Sequence, residues 1–428
     1  MKTLGPETIE QRLLALARLT QPGSLGVTRL LYTPAWHDAQ ALVYRWMEDA
    51  GLCPWWDAVG NVHGRVDGAS ETTILTGSHI DTVVNGGAYD GAYGVVGAIW
   101  ALSHLKQRPF LRQSVEVVSF CEEEGSHFPI TCWGSRALMG EVTPGDAKTI
   151  CDPDGVSLRQ AMDAHHLNAD KISEAAKDYA AFVELHIEQG PWLEAQGKDI
   201  GVVTSIFGQE RWTVRVKGVS RHAGTTALRD RHDALIAASR MVLAVQDVAN
   251  SSEHIGIATV GELHVIGGST NCVPGDVVFH VDLRAETDRV RQRLAGQLTH
   301  HFQQIAQSTG VTVAIEKNTD ERMVKMDATL QNVIAGSCRS QGLSFMPIAS
   351  RAGHDAQIIG RKIPTAMIFV PSHQGLSHHG EEYTAPEQLQ RGVAVLLQTL
   401  EQLAQGLPGV GQDQSFATPN VLPGRWFG

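Results

Sequence analysis

The segment TGSHIDTVVNGGAYDG, from Thr76 to Gly91, brings together three side chains that can bind a metal ion or move a proton: His79, Asp81 and Asp90. It follows the apolar run Thr72 to Leu75, which is typical of a buried strand. Functional residues of α/β sheets lie at the carboxyl ends of strands, where this segment would fall. Histidine and aspartate together suit a divalent ion, and the spacing lets Asp81 orient the His79 ring. A plain polar turn is the alternative interpretation.

Three further segments favour the metal site. The apolar run Val115 to Phe120 leads into the acids 122–124, and adjacent acids near a core are costly unless cations neutralise them. One acid could therefore bind a metal while its neighbour transfers a proton. His186 lies in ELHIEQGPWLE, and His378 and His379 lie in SHHGEEYT. A solvated turn or a core histidine would explain one such segment, whereas four in one chain indicate metal chemistry.

The order of these residues resembles the co-catalytic metallohydrolases of the aminoacylase and glutamate carboxypeptidase type, which share an H-x-D, D-G, E-E and late-histidine pattern. Within that group the chain is more similar to the hydantoinase/carbamoylase branch. This branch contains N-carbamoyl-L-amino acid hydrolases, allantoate amidohydrolases and β-ureidopropionases. The resemblance extends from Gly77 to His378 and is carried by SHIDTVVNGGAYDG, EEEGSHFP, ELHIEQG, RHAGTT, TNCVPG, AGHDAQ and GLSH.

The resemblance implies two divalent metal ions per chain, Zn, Mn, Co or Ni, since sites of histidine and carboxylate accept all four. A short carboxylate on a glycine-flanked loop suits the bridging position, which the family pattern assigns to Asp90. His79 and His186 would complete one site, and Glu124 and His378 would complete the other. The match to GLSH selects His378, although His379 stays an alternative ligand.

The same resemblance assigns the catalytic and substrate-binding residues. Glu123 is the implied general base, Asp81 supports it as the carboxylate that orients a metal ligand, and Glu122 is interpreted as outward or structural. In the relatives, the histidine equivalent to His222 reaches the active site of the partner subunit and polarises the scissile carbonyl. The candidates for substrate contacts, besides His222, are Gln189 for a ureido amide, Arg284 for a carboxylate, Asn271 for a polar group and the backbone of Gly353.

Alternatives remain open for two of these residues and for the substrate. Arg284 could pair with a surface acid, and His222 could cap a turn. GQERW, HAGTT, AGHDAQ and GLSHH resemble allantoate amidohydrolases more than L-carbamoylases. However, TTALRDR and GGSTNCVPG depart from the usual T-T-P-M and P-N-x-x-N-x-V-P-G forms on the substrate side.

The predicted function is therefore a dinuclear-metal amidohydrolase. It would cleave the carbamoyl (ureido) C–N bond of an N-carbamoyl-L-amino acid or an allantoate-type ureido acid and release ammonia and carbon dioxide. An aminoacylase or dipeptidase is the alternative enzyme. A non-catalytic metal- or ligand-binding protein of the same fold is disfavoured, because the ligand set and Glu123 are complete.

Composition limits the class of protein and its partners. A chain of 428 residues is too long for one core and indicates two domains. Its net charge of -11 argues against a nucleic-acid partner. The apolar runs are too short to span a membrane, and the start of the chain lacks an apolar signal core, so a cytoplasmic location is expected. The six scattered cysteines are expected to be reduced thiols.

Apolar periodicity predicts the elements that position these residues. Strands and helices alternate from Gly60 to Leu138, which predicts an α/β fold: a mixed-sheet α/β/α metallohydrolase catalytic domain. From Arg211 to Ile315 the pattern changes to β-α-β-β-α-β, which predicts an inserted ferredoxin-like α+β lid and dimerisation domain. An exposed edge of that sheet would allow a homodimer.

The predicted division of the chain has three parts: residues 1–209 and 326–428 form the catalytic domain, and residues 210–325 form the lid. Helices are predicted over Pro34 to Ala50, Gly94 to Leu105 and Pro386 to Ala404. The tail from Gly406 to Gly428 is rich in glycine and proline and is predicted to be irregular.

Overall fold

A computed structural model describes residues 8–252 and 255–406 of the chain. Its strands are β1 (Trp55–Trp56), β2 (Val62–Val66), β3 (Ser70–His79), β4 (Gln113–Phe120), β5 (Ala181–Ile187), β6 (Ile200–Ile206), β7 (Gly208–Lys217), β8 (Arg221–His222), β9 (Gly256–Val265), β10 (Cys272–Val273), β11 (Asp276–Ala285), β12 (Thr312–Glu321), β13 (Val324–Lys325), β14 (Phe345–Ser350) and β15 (Thr365–Val370).

Its α-helices are α1 (Ile9–Ala17), α2 (Pro34–Asp49), α3 (Ala92–Leu105), α4 (Trp133–Leu138), α5 (Pro144–Thr149), α6 (Leu158–Ala164), α7 (Trp192–Ala195), α8 (Ala234–Asn250), α9 (Asp288–Thr309), α10 (Ala328–Ser340), α11 (Asp355–Ile359) and α12 (Pro386–Ala404). Short 3₁₀ helices cover Ala169–Ala175, Leu228–Asp230 and His373–Gly375. The predicted helix over Pro386 to Ala404 is confirmed, and the one from Pro34 differs by one residue. The predicted irregular tail lies outside the described residues beyond Gly406.

Nine strands form one mixed sheet, the large sheet, in the order β1-β2-β4-β3-β5-β15-β6-β13, with β14 paired to β6. Its centre is parallel, because β3 runs parallel to β4 and β5, and β5 runs parallel to β15. Helices cover both faces: Ile74 packs in the cluster that contains α3 and α12, whereas its neighbour Leu75 packs in the cluster that contains α11. The predicted mixed-sheet α/β class is confirmed.

Helix α3 starts beside the predicted metal ligands for a steric reason. Gly91 immediately precedes the helix with φ of 60°, a left-handed value that glycine adopts without strain. A Cβ atom at this position would lie 2.4 Å from Nε2 of His79. The glycine after Asp90 therefore permits both the turn and the close approach of the histidine ring.

Residues 208–321 form a second unit, the small unit, around an antiparallel sheet of four strands in the order β12-β7-β11-β9. Helices α8 and α9 pack on it with their own core, which includes Trp212, Phe279 and Phe302. The chain order within it is the predicted β-α-β-β-α-β. A two-stranded ribbon of β8 and β10, which periodicity did not indicate, joins the predicted elements.

The chain crosses between the two units at two places, after β6 and after β12. The side-chain amide of Gln357, on α11, donates to the carbonyl oxygens of Phe207 at 3.1 Å and Arg322 at 3.0 Å, one in each connection. Glu321 at the end of β12 also pairs with Arg136 and Arg361 of the other unit. Strand β13 rejoins the large sheet at Val324, close to the predicted boundary at 325. The lid and dimerisation role stays a prediction.

Among the described residues, no helix is both long enough and apolar enough to span a lipid bilayer.

Candidate metal centre and active site

The parallel centre of the large sheet brings the predicted ligands to one edge. His79 is the last residue of β3, and the acids 122–124 directly follow β4. His186 is near the end of the neighbouring strand β5, and His378 follows β15. Together with residues of the small unit they line a cleft: His79, Asp90, Glu123, Glu124, Thr131, Cys132, Arg136, His186, Gln189, Gln209, Arg211, Arg284, Glu321, Ala352, Gly353, His354, Gln357, Ile358 and His378.

One ligand cluster consists of His79, Asp90 and His186, all buried. Oδ1 of Asp90 lies 3.2 Å from Nε2 of His186 and 3.7 Å from Nε2 of His79. Each ring has its Nδ1 at a backbone carbonyl, that of Asp81 at 3.0 Å for His79 and that of Ile187 at 2.9 Å for His186. A carbonyl can only accept, so Nδ1 of each ring donates and Nε2 is the nitrogen on the side of Asp90, where that of His186 also accepts from the backbone N–H of Gly91 at 3.1 Å. A histidine held in this way can bind a metal ion through Nε2.

A second cluster consists of Asp90, Glu124 and His378. Nε2 of His378 lies 3.2 Å from Oδ2 of Asp90 and 3.4 Å from Oε1 of Glu124. Asp90 thus offers one oxygen to each cluster, which is the arrangement of a bridging carboxylate. Both histidines are exposed, but Nδ1 of His379 accepts from the backbone of Glu381 instead of approaching Asp90. The geometry therefore favours His378 over His379 as the ligand.

The electrostatics of these acids fit bound cations. Burial, reinforced by Glu124 and Asp355, raises the pKa of Glu123 well above its ordinary value. Burial and the nearby Asp90 raise the pKa of Glu124 to about 8, against the opposing charge of His378. Acids packed this closely repel one another unless positive charge is placed among them. Carboxylate and imidazole donors are suitable ligands for divalent transition ions, so the residues present fit such ions.

A third group of possible metal ligands, Glu184, His186 and His354, shares His186 with the first cluster. The carboxylate of Glu184 already accepts hydrogen bonds from Ser78 Oγ at 2.7 Å and from the backbone of Ala356 at 3.0 Å. Each of its oxygens therefore already has one donor. Because His186 already belongs to the first cluster, we assign no further ion to this group.

Asp81 supports the site differently from the prediction. The His79 ring contacts the backbone carbonyl of Asp81, while the carboxylate oxygen Oδ1 is farther away, at 3.6 Å. The other oxygen, Oδ2, accepts from the backbone N–H of Glu124 at 3.1 Å. Asp81 therefore orients His79 through its main chain and positions Glu124 through its side chain.

The adjacent acids have different surroundings. Glu123 lines the cleft, and its Oε2 lies 3.9 Å from Nε2 of His79. Glu122 is buried, and its Oε1 accepts from the backbone N–H groups of His127 and Phe128. Of the two interpretations of Glu122, the structural one holds and the outward one is wrong. The hydrogen bonds hold the loop after β4 in the shape that presents Glu123.

The predicted substrate-binding residues fall into two groups. Gln189, Arg284 and Gly353 line the cleft, and Nε2 of Gln189 donates to Oδ2 of Asp90 at 2.7 Å. His222 and Asn271 are exposed on the ribbon of the small unit and are not among the cleft-lining residues of the described chain. They are neighbours there, because the N–H of Ala223 donates to the carbonyl of Asn271 at 2.8 Å.

Two supporting residues were not predicted. Oε1 of Glu382 accepts from the backbone N–H of Tyr89 at 2.9 Å and of Asp90 at 3.0 Å. The hydroxyl of Ser377 donates to Oε2 of Glu382 at 2.8 Å and lies 3.1 Å from Oδ2 of Asp90. Both residues belong to SHHGEEYT, so the segment was identified although their partner loop was not. Together they fix the loop that carries the shared ligand.

Comparison with known proteins agrees with this geometry. Residues 75–402 match the model of peptidase family M20/M25/M40. The chain is 42% identical to the allantoate amidohydrolase of Bacillus subtilis, over 89% of this chain and 93% of that protein. It is 37% identical to the N-carbamoyl-L-amino-acid amidohydrolase of Paenarthrobacter aurescens, over 93% of this chain and 98% of that protein.

A solved structure shows the same fold. The hydantoinase/carbamoylase family amidase of Burkholderia multivorans superposes with a TM-score of 0.83 at 33% identity, covering 93% of this chain and 97% of that one. The resemblance predicted from the sequence motifs is thereby confirmed. The chain belongs to peptidase family M20/M25/M40 and is a hydrolase that acts on non-peptide C–N bonds.

Proposed function

We propose that this chain binds two divalent ions and hydrolyses the carbamoyl C–N bond of a ureido acid. The observation that carries the proposal is the pair of ligand clusters that share Asp90, with Glu123 beside them in the same cleft. One ion would be held by His79, His186 and Asp90. The other would be held by Asp90, Glu124 and His378. The names of the similar enzymes support the ureido group as the reacting part of the substrate.

The residues of the chain then have separable roles. Bound divalent ions would supply Lewis acidity and lower the pKa of a water molecule. Glu123, which is in neither ligand cluster, accepts the proton of the attacking water and returns it to the leaving nitrogen. Hydrolysis of the terminal ureido bond gives ammonia and a carbamate, which loses carbon dioxide and leaves an amine. Gln189 holds Asp90 in place and, as part of the lining of the cleft, would contact the ureido amide.

The lining of the cleft supports a substrate that is polar along its length. Among the described residues that line it, aliphatic side chains are limited to Ala352 and Ile358. An apolar amino-acid side chain would offer no acceptor to polar groups such as Arg211 that line the cleft outside the ligand clusters, which costs affinity. A second polar arm and a carboxylate, as in allantoate, would satisfy them. We therefore expect allantoate-type ureido acids to be better substrates than N-carbamoyl derivatives of apolar amino acids.

Ammonia release from a substrate panel tests the function. We expect kcat/KM for allantoate or a polar N-carbamoyl-L-amino acid to exceed that for N-carbamoyl-L-leucine by about 10-fold or more, the range that one pocket mismatch produces. N-acetyl amino acids and dipeptides should be poor substrates. Faster hydrolysis of either of these classes than of every ureido acid would identify an aminoacylase or dipeptidase instead.

A homodimer would complete the site. His222 and Asn271 are exposed and outside the cleft of their own chain. His222 does cap a turn, because its Nδ1 accepts from the backbone N–H groups of Gly224 and Thr225, and its Nε2 would be the atom offered to the cleft of a partner. Helix α8 also exposes Ile236 and Leu243, and β9 and β12 are the edges of the small sheet, a type of surface that pairs readily.

Complementation tests the shared site. Homodimers of Glu123→Gln and of His222→Ala should each be inactive. Mixed dimers should regain up to about half of the native activity per dimer, because in a two-fold symmetric dimer one of the two sites combines both intact residues. Native mass spectrometry would verify the mixed dimers. Heterodimers that stay inactive, or a fully active monomer, would rule out the shared site.

A further inference from the structure

A cluster of charged and polar side chains lies where the small sheet faces the cleft. Asp282 and Arg284 are two residues apart on β11, and they stand opposite Arg211 and Gln209 of β7 in the antiparallel register. Residues two apart on a strand share a face, as do directly opposed residues. Gln209, Arg211 and Arg284 line the cleft, so Asp282 is the member of this group that supports the others from beside it.

The guanidinium of Arg284 is held by two partners. Nε donates to Oδ1 of Asp282 at 2.8 Å, and Nη2 donates to Oδ2 at 3.0 Å, which is a bidentate pair. Nη1 donates to the carbonyl of Arg351 at 2.8 Å. These three bonds use three of the five N–H groups of a guanidinium. One N–H on Nη1 and one on Nη2 remain for a ligand.

Asp282 is itself held in place. Its Oδ2 accepts from Nε2 of Gln209 at 2.8 Å and lies 3.4 Å from Nε of Arg211. Burial alone would raise the pKa of Asp282, but its hydrogen bonds to Arg284 and the charge of that residue lower it. The carboxylate is therefore ionised near neutral pH and linked to both strands, so the Arg284 side chain has a rigid anchor.

We infer that Asp282 is a positioning residue for substrate selection: it holds one edge of the Arg284 guanidinium so that the remaining N–H groups face the carboxylate of the substrate. The inference rests on the proposed function and on the assignment of Arg284 to the substrate carboxylate, which the sequence predicts. Planar, bidentate recognition requires a guanidinium fixed in orientation. A long side chain that is already immobilised loses less conformational freedom when the substrate binds.

Positioning and simple charge competition predict opposite results. As a competing anion, Asp282 would weaken the attraction between Arg284 and the substrate, so its removal would lower KM. As a positioning residue, it strengthens binding, so its removal raises KM. We expect Asp282→Asn to raise KM for the free acid by about tenfold, the effect of losing one charge-assisted hydrogen bond, with kcat changed less than about twofold. KM for the corresponding ester should be unchanged.

A matched pair on the same strands provides the control. Arg215 and Asp276 form an equivalent bidentate contact, with Nε to Oδ1 at 3.1 Å and Nη2 to Oδ2 at 2.6 Å, and neither residue lines the cleft. Asp276→Asn should leave KM and the preference for acid over ester unchanged. Asp282→Glu keeps the charge but moves it, so a positioning role predicts a higher KM for this variant too. If Asp282→Asn does not fold, Asp282→Glu provides the test instead.

Three outcomes would overturn the inference: a lower KM in Asp282→Asn, a native KM in Asp282→Glu, or an equal rise of KM in Asp276→Asn. The Arg284→Ala background separates this failure from failure of the proposed function. There, Asp282→Asn should add no further loss of acid preference. If Arg284→Ala itself leaves the preference for acid over ester intact, the carboxylate role proposed for Arg284 is wrong, whatever Asp282 does.

Discussion

Replacing Glu123 with glutamine is expected to lower kcat by about 10²- to 10⁴-fold, the contribution typical of general acid–base catalysis. Glutamine keeps the size and polarity of the side chain but cannot accept the proton of the attacking water. Because Glu123 lies outside both ligand clusters, the bound metal should be unchanged. Steady-state ammonia release together with elemental analysis of the same preparation would measure both effects.

The neighbouring acid supplies the control for this experiment. Glu122→Gln retains a carbonyl oxygen that can accept from the backbone of His127 and Phe128, as Oε1 does now. This variant should therefore keep near-native turnover. If Glu122→Gln loses turnover and Glu123→Gln does not, the proton transfer has been assigned to the wrong acid.

Replacing Asp90 with alanine is expected to abolish metal binding at both positions and all activity. Its two oxygens serve different clusters, Oδ1 towards His186 and Oδ2 towards His378. By contrast, His186→Ala removes a ligand from one cluster and should retain the ion held by Glu124 and His378. Inductively coupled plasma analysis of the purified variants would give the metal content, and a chelator should inactivate the native protein.

The exposed neighbour of His378 tests the specificity of that result. His379→Ala removes a histidine one position away, which contacts the backbone of Glu381 and lines no part of the cleft. Its metal content and activity should equal those of the native protein. Purified active protein with no bound metal, or loss of metal in His379→Ala alone, would contradict the assigned ligand set.

The residues at strand ends could be located from the sequence because local pattern and topology agree there. An apolar run followed by acids or by H-x-D places side chains at a carboxyl edge, and the parallel centre of the large sheet joins those edges. For this reason His79 and Glu123 lie at the carboxyl edge where the sequence placed them, whereas His186 was indicated by the family resemblance. The small unit could be predicted equally well, since the alternation of Trp212, Val214 and Val216 marks one buried face of β7.

The missing parts of the prediction depend on contacts between distant segments. Glu382 reaches the backbone of Asp90 across 292 positions of sequence, and no local spacing predicts such a pairing. The contact between Asp282 and Arg284 could have been predicted from the sequence, because an acid two positions before Arg284 on a strand must share its face. The sequence interpretation left Arg284 open to pairing with an acid, and the structure shows that the pairing and the position in the cleft occur together.

The amide of Gln357 has a consequence for motion. It donates to Phe207 and Arg322, which lie in the two separate connections to the small unit. A rotation that moves these connections apart must break at least one of the two bonds, and each contributes about 0.5–1.5 kcal/mol. Breaking both costs about 1–3 kcal/mol, and the ion pairs of Glu321 with Arg136 and Arg361 span the same boundary. Because Gln357 also lines the cleft, a rotation of the small unit would disturb the wall of the cleft as well.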